Sequence, residues 1–236
     1  MSEPTRPRDT ARGTLASLYP FLNSEGASPA RSTEILLESI RRKAGDSGTV
    51  REAFFARNAP AVVAVAQSLA KVFRGGGRLF AMGNGGSSCD ASHIVVEFSH
   101  PITTGRPALP AFNLVADTAM MTAVGNDVGF SHIFVRSLTS LAHRSDALVG
   151  ISTSGNSENL LAAFAKARQM GLVTIGLAGG HGGRMAKNPD LDHCLVVESD
   201  SVHRVQECHV LIYHILWDLT HTLLGEDRGM PAAAQP

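Results

Sequence analysis

His93 and Glu97 stand four residues apart in the run 83–97, GNGGSSCDASHIVVE, and the run 150–157 reads GISTSGNS. On a helix, side chains at i and i+4 share a face. An imidazole and a carboxylate there have the spacing of two ligands to one divalent cation, or of an acid–base pair. Ser152, Thr153, Ser154 and Ser157 surround Gly155 and Asn156, and Ser157 is placed to cap the helix beginning SENLLAAFAKA. A helix N-terminus offers free N–H groups and the positive end of the dipole, so several hydroxyls added to it suit a phosphate monoester. The two runs together predict chemistry on a phosphorylated small molecule.

Each motif also has an ordinary reading. Serine is a common N-cap in any strand-to-helix turn, and a lone histidine is most often a hydrogen-bonded core residue. GNGGSS lacks the third-glycine spacing of a dinucleotide fingerprint, and no acidic residue closes the next strand at the expected distance, which sets a nicotinamide cofactor aside. Two Gly/Ser loops on one sheet rim point instead to a phosphosugar. Glu97 interrupts the apolar run HIVVEF. An unpaired carboxylate there would be costly to bury, so it requires a metal, a histidine or a substrate hydroxyl. Further on, Gln206 and His214 lie eight residues apart in QECHVLIYHILWDLTHTLL, within about 80° of each other on a helix. His, Glu, Gln and His are N/O donors suited to Zn²⁺ or a related divalent metal.

The elements that must position these residues follow from periodicity. Residues 31–44 and 51–74 carry helical patterns, with Pro60 inside the second, where the helix should kink or begin again. Short apolar runs at RLFAMG, Ala111–Val115, Ala147–Ile151, Val173–Leu177 and His193–Val197 read as strands. Helical segments at 89–99, 117–125, 130–142, 157–170 and 202–224 separate them. Continuous apolar strands alternating with helices predict a five-stranded parallel sheet covered on both faces. Ligands bind such sheets outside the carboxyl ends of the strands, where both loops fall. The 202–224 segment is apolar on nearly every face, which predicts burial against another subunit.

The chain has 236 residues, 44% of them hydrophobic, and a formal net charge of zero. That suffices for one sizeable core and supplies no global field to draw in nucleic acid or an anionic membrane. Cys89, Cys194 and Cys208 form no disulfide framework, which suits a reducing cytoplasm. No run reaches the roughly 18 apolar residues of a membrane span. Residues 1–30 read as a flexible extension, 31–225 as one domain with N-terminal helices, and 226–236 as a disordered tail.

GNGGSSCDASH, Gly125–Asp127, ISTSGNS and RVQECHVLIYH together resemble the bacterial phosphoheptose isomerases of the sugar-isomerase (SIS) domain superfamily, over about residues 35–225. The resemblance implies a flavodoxin-like three-layer αβα sandwich, a homotetramer with sites between subunits, one zinc ion per subunit, and isomerisation of sedoheptulose 7-phosphate to a heptose 7-phosphate. Carried over by motif, the zinc ligands would be His93, Glu97, Gln206 and His214. Substrate contacts would be Asn84, Gly85, Gly86, Ser87, Glu97, Asn126, Asp127, Ser152, Thr153, Ser154, Ser157 and Gln206, with Glu97 as base and His214 as acid. Pro101 stands where a basic residue is common in that family, and His203 where an acidic one is common. These departures leave open a longer ketose phosphate, such as an octulose 8-phosphate. A non-catalytic relative that binds the replication initiator protein lacks the glutamate and the final histidine, both kept here. A phosphosugar-sensing regulator would need a DNA-binding domain, which the residues ahead of the first helix are too few to form.

Overall fold

The structure, a computed structural model, describes residues 33–226. The anticipated 1–30 extension and nearly all of the C-terminal tail lie outside the described residues. The chain divides into two compact units between Lys43 and Ala44. Of the first unit, the described part is the opening of helix α1 (Thr33–Arg74), where Leu36, Leu37 and Ile40 are exposed.

In the second unit, α1 continues through Pro60 without a restart. The ring costs the helix one N–H bond to the carbonyl of residue 56. Both Pro60 and Ala56 face solvent, so that carbonyl is free to bond water. Phe54, Val62, Val65, Ala66 and Leu69 hold the other face of the helix in the core.

Five strands follow in alternation with helices: β1 (Leu79–Gly83), β2 (Ala111–Asn113), β3 (Ala147–Ser152), β4 (Val173–Gly179) and β5 (His193–Val197). All are parallel, in the order β2-β1-β3-β4-β5. The strands stand where the apolar runs predict them. Edge strand β2 is shorter than its run because Asn113 turns its side-chain oxygen onto the N–H of Val115, at 2.8 Å, and ends the ladder.

Strand periodicity divides the core into two layers. Leu79, Ala81, Val149, Ile151, Ile175 and Leu177 point to one face, where they meet α1, α2 (Gly86–Ser99) and α6 (Val202–Glu226). Phe80, Met82, Leu148 and Ala178 point to the other. There they meet α3 (Thr118–Asp127), α4 (Ile133–Leu141) and α5 (Glu158–Met170). This is the expected three-layer αβα sandwich. Gly150 exists to admit Phe164, whose ring would lie 2.5 Å from an added Cβ. Helix α6 buries Val205, Cys208, Ile212, Leu216 and Leu224 at helical spacing. No helix among the described residues is long and apolar enough to cross a membrane.

Candidate active site

Strand order reverses between β1 and β3, which are neighbours in register from Leu79–Ala147 to Gly83–Ile151. The chain leaves β1 for α2 on one face and leaves β3 for α5 on the other, so the two loops open a crevice at the carboxyl rim. A reciprocal amide pair spans it: Asn84 Nδ2 donates to Asn159 Oδ1 and Asn159 Nδ2 donates to Asn84 Oδ1, both at 2.9 Å. Asn84 thus braces the loops against each other. Its buried partner Asn159 was missed by sequence reading, where it looks like any polar residue in a first helical turn.

The loop after β3 gathers hydroxyls. Ser152 Oγ lies 3.0 Å from Ser157 Oγ and 3.5 Å from Ser154 Oγ. Ser152 Oγ also accepts the N–H of Gly155, and Ser154 Oγ that of Asn156, both at 3.2 Å. Ser157 occupies the N-cap of α5 as predicted, but its hydroxyl makes no capping bond and turns to Ser152 instead. That leaves the first turn of α5 uncapped by its own serine and facing the hydroxyl cluster. Gly155 has φ +64, and a Cβ there would lie 2.0 Å from the carbonyl oxygen of Gly182, so only glycine fits. The neighbouring loop braces the cradle: Arg184 N donates to Asn156 Oδ1 at 3.0 Å and Met185 N to the Gly155 carbonyl at 3.0 Å. Thr153 is half-buried beside it.

On the other face of the sheet, α2 and α6 run parallel. Gly86 faces Gln206 and His93 faces Tyr213, each pair 120 residues apart. This pairing assembles the second cluster. His93 Nε2 lies 3.1 Å from Glu97 Oε1 and 3.4 Å from His214 Nε2, and His214 Nε2 lies 4.0 Å from Glu97 Oε1. Tetrahedral Zn²⁺ with bonds of 2.0–2.1 Å holds its N/O ligands about 3.3 Å apart. The three donors, all within 4.8 Å of one another, therefore fit a divalent cation after small side-chain adjustment. His93 and His214 are 44% and 40% exposed, so the outer side is open to a further ligand or substrate. Glu97 is half-buried rather than sunk in the core; Ile94 and Phe98 carry the apolar run inward. Burial, with His93 alongside, holds the His214 pKa below the usual imidazole value, against the pull of Glu97.

The remaining predicted residues divide. The Gln206 amide packs on Gly86, and a Cβ at 86 would lie 2.2 Å from Gln206 Nε2. Gln206 stands two helical turns before His214 on the same helix. Gly85 has φ +55 and opens α2, and Ser87 is buried against Gly83. Asn126 and Asp127 are exposed at the end of α3 and bonded to each other, Nδ2 to Oδ1 at 2.7 Å. Among the described residues no hydrogen bond ties them to either loop. Beneath the cluster lie Asp90 and Tyr213, both buried and both absent from the sequence-based set. Burial pushes the Asp90 carboxyl up to about 6, with His93 and the Tyr213 hydroxyl pulling it back. The available signal was spacing: Asp90 is one helical turn before His93.

Comparison with known proteins gives consistent relatives. The SIS domain family model matches residues 45–179. A phosphoheptose isomerase of Desulfovibrio desulfuricans is 43% identical over 192 residues, covering 81% of this chain and 90% of that protein. One from Chlorobaculum tepidum is 39% identical over 207 residues, covering 86% and 97%. Among solved structures, a phosphoheptose isomerase from Francisella tularensis superposes with a TM-score of 0.74 at 35% identity, covering 78% of this chain and 97% of that one.

Proposed function

This chain belongs to the phosphoheptose isomerase family of SIS-domain proteins and is a phosphosugar isomerase; on that premise we propose that it interconverts sedoheptulose 7-phosphate and D-glycero-D-manno-heptose 7-phosphate. The observation that carries the reading is the convergence of His93, Glu97 and His214 from two helices, on the same α2 whose N-terminus lies at the rim beside the serine cradle.

In this mechanism Ser152, Thr153, Ser154 and Ser157, with the first turn of α5, hold the phosphate and so fix the sugar's far end. Glu97 takes the proton from the carbon beside the carbonyl, an enediol(ate) forms, and His214 returns a proton at the neighbouring carbon. Oε1 of Glu97 is the oxygen that faces both histidines, which leaves Oε2 for proton transfer. Positioned acid and base groups each contribute roughly 10²–10⁴-fold. A Zn²⁺ ion held by His93, Glu97 and His214, with Gln206 as the resemblance implies, would supply Lewis acidity toward the sugar oxygens. Asn126 and Asp127, tied to neither loop of their own chain, suit a homotetramer in which they reach the substrate of another subunit. The exposed Val202 and the half-buried Val210 and Ile215 of α6 suit the same assembly. The three free cysteines suit the cytoplasm.

An isomerisation assay across C5 to C8 ketose phosphates, with and without added zinc, tests the reading. Sedoheptulose 7-phosphate should turn over fastest. A preference for the eight-carbon substrate would transfer the assignment to the longer sugar, and no turnover of any would refute it.

A further inference from the structure

Tyr213 lies on the stripe of α6 that also buries Ile212 and Leu216, and it is fully buried. A phenol in that position costs more to desolvate than a phenylalanine unless its hydroxyl is bonded. The hydroxyl does find a partner: Oη lies 2.9 Å from His93 Nδ1. Asp90, 8% exposed, lies within interaction range of the same hydroxyl, and its Oδ2 has no hydrogen-bond partner among the described residues. A buried carboxylate oxygen left open near a buried phenol is an acceptor within reach of a donor.

We propose that Tyr213 and Asp90 are positioning residues that hold the His93 ring with its proton on Nδ1 and its Nε2 lone pair turned toward Glu97 and His214. The proposal rests on the cation-site reading given above. His93 Nδ1–H donates to Tyr213 Oη, and the phenol O–H in turn donates to Asp90. The opposite arrangement, with the phenol donating to Nδ1, would put the ring proton on Nε2, between Glu97 Oε1 and His214 Nε2, where a cation needs a lone pair. A carboxylate acting through an intermediate group on the far nitrogen of a ligating histidine fixes both tautomer and ring orientation.

Tyr213→Phe removes one oxygen and keeps the shape. Zinc affinity, read by competition with a chromophoric chelator, should fall about 10–100-fold, the range for losing such a partner. In metal-free protein labelled with ¹⁵N-histidine, the Nδ1–H fraction of His93 should fall relative to the parent, because the partners that remain, Glu97 Oε1 and His214 Nε2, both face Nε2. A purely structural tyrosine would lower the unfolding midpoint and move neither readout. Asp90→Asn, which keeps an acceptor but loses the charge, should change both in the same direction by less; it carries the test if the phenylalanine variant does not fold. Zinc affinity and tautomer fraction both within twofold of the parent would overturn the proposal. A parent that binds no zinc would sink the cation-site reading, while the tautomer comparison would still decide the relay.

Discussion

The serine loop after β3 and the histidine–glutamate cluster on the α2–α6 pair place opposite demands on the chain. The loop is local. Six consecutive residues supply three hydroxyls within 3.5 Å of Ser152 Oγ or at it, two backbone N–H contacts and the one glycine that permits the turn. Its shape is set by backbone geometry and by the bracing loop at 182–185. The cluster is non-local: two donors come from one helix and the third from another, 121 residues away. Its geometry depends on how α2 and α6 pack and on what lies beneath their ligating side chains. A phosphate site, the role proposed for the loop, tolerates such a local construction, because several hydroxyls and N–H groups share the load. Proton transfer at a defined carbon does not, since it needs individual atoms within hydrogen-bonding reach.

The largest expected effect falls on the cluster. Glu97→Gln keeps the size and much of the hydrogen bonding but removes the proton acceptor. It should lower kcat at least about 10²-fold with KM near normal, and deuterium incorporation from solvent beside the carbonyl should vanish. Turnover and exchange at the parent's rate would reduce Glu97 to a ligand and erase the contrast between the regions.

The cradle should respond in KM instead. Ser152→Ala with Ser154→Ala removes two hydroxyls from a charged ligand, each such bond being worth about 1.5–3 kcal/mol. Shared neighbours soften that loss. Steady-state kinetics should show KM raised roughly 10–100-fold, with kcat changed much less. An equal loss in kcat would mean that the loop also aligns the reacting end.

The smallest effect is on stability and concerns α6, the helix that brings His214 to the cluster. His209 on α6 is fully buried with Nε2 on the Ala178 carbonyl at 3.1 Å, and burial holds its pKa down at about 4. As pH falls from about 6.5, the unfolded chain takes up this proton first, so stability is lost down to about pH 4, by about 3 kcal/mol. Asp90, pushed up to about 6, acts oppositely. Its folded form is protonated first as pH falls from about 6 toward its ordinary 3.8, which adds stability over much of the same window. The two offset each other in the parent, so the effect is read by difference. Urea unfolding of the parent and of His209→Gln should show the parent losing about 3 kcal/mol relative to the variant between pH 7 and pH 4. Parallel pH profiles would contradict it.

Most of the architecture was legible in the residues, because apolar runs of five or six between helical segments encode a buried parallel sheet locally. The strand positions, the place of both loops at the carboxyl rim, and the His93–Glu97 pairing all follow from periods of two and 3.6. Helix α1 was less legible: Pro60 reads as a break, yet it lies on the solvent side of a helix whose other face is pinned by Phe54, Val62 and Leu69. Ser157 reads as a cap, yet Ser152 offers its hydroxyl a nearer partner. By itself, then, the sequence determined the elements, the hydroxyl cradle and the one pair of ligand-type side chains that share a helix turn. Only tertiary structure decided that α6 lies parallel to α2 and brings His214 to that pair. The same packing sets Tyr213 and Asp90 beneath it and lays the Gln206 amide against Gly86. Those contacts join residues about 120 positions apart, and such pairings depend on how two helices share one face of a sheet, which no local period records.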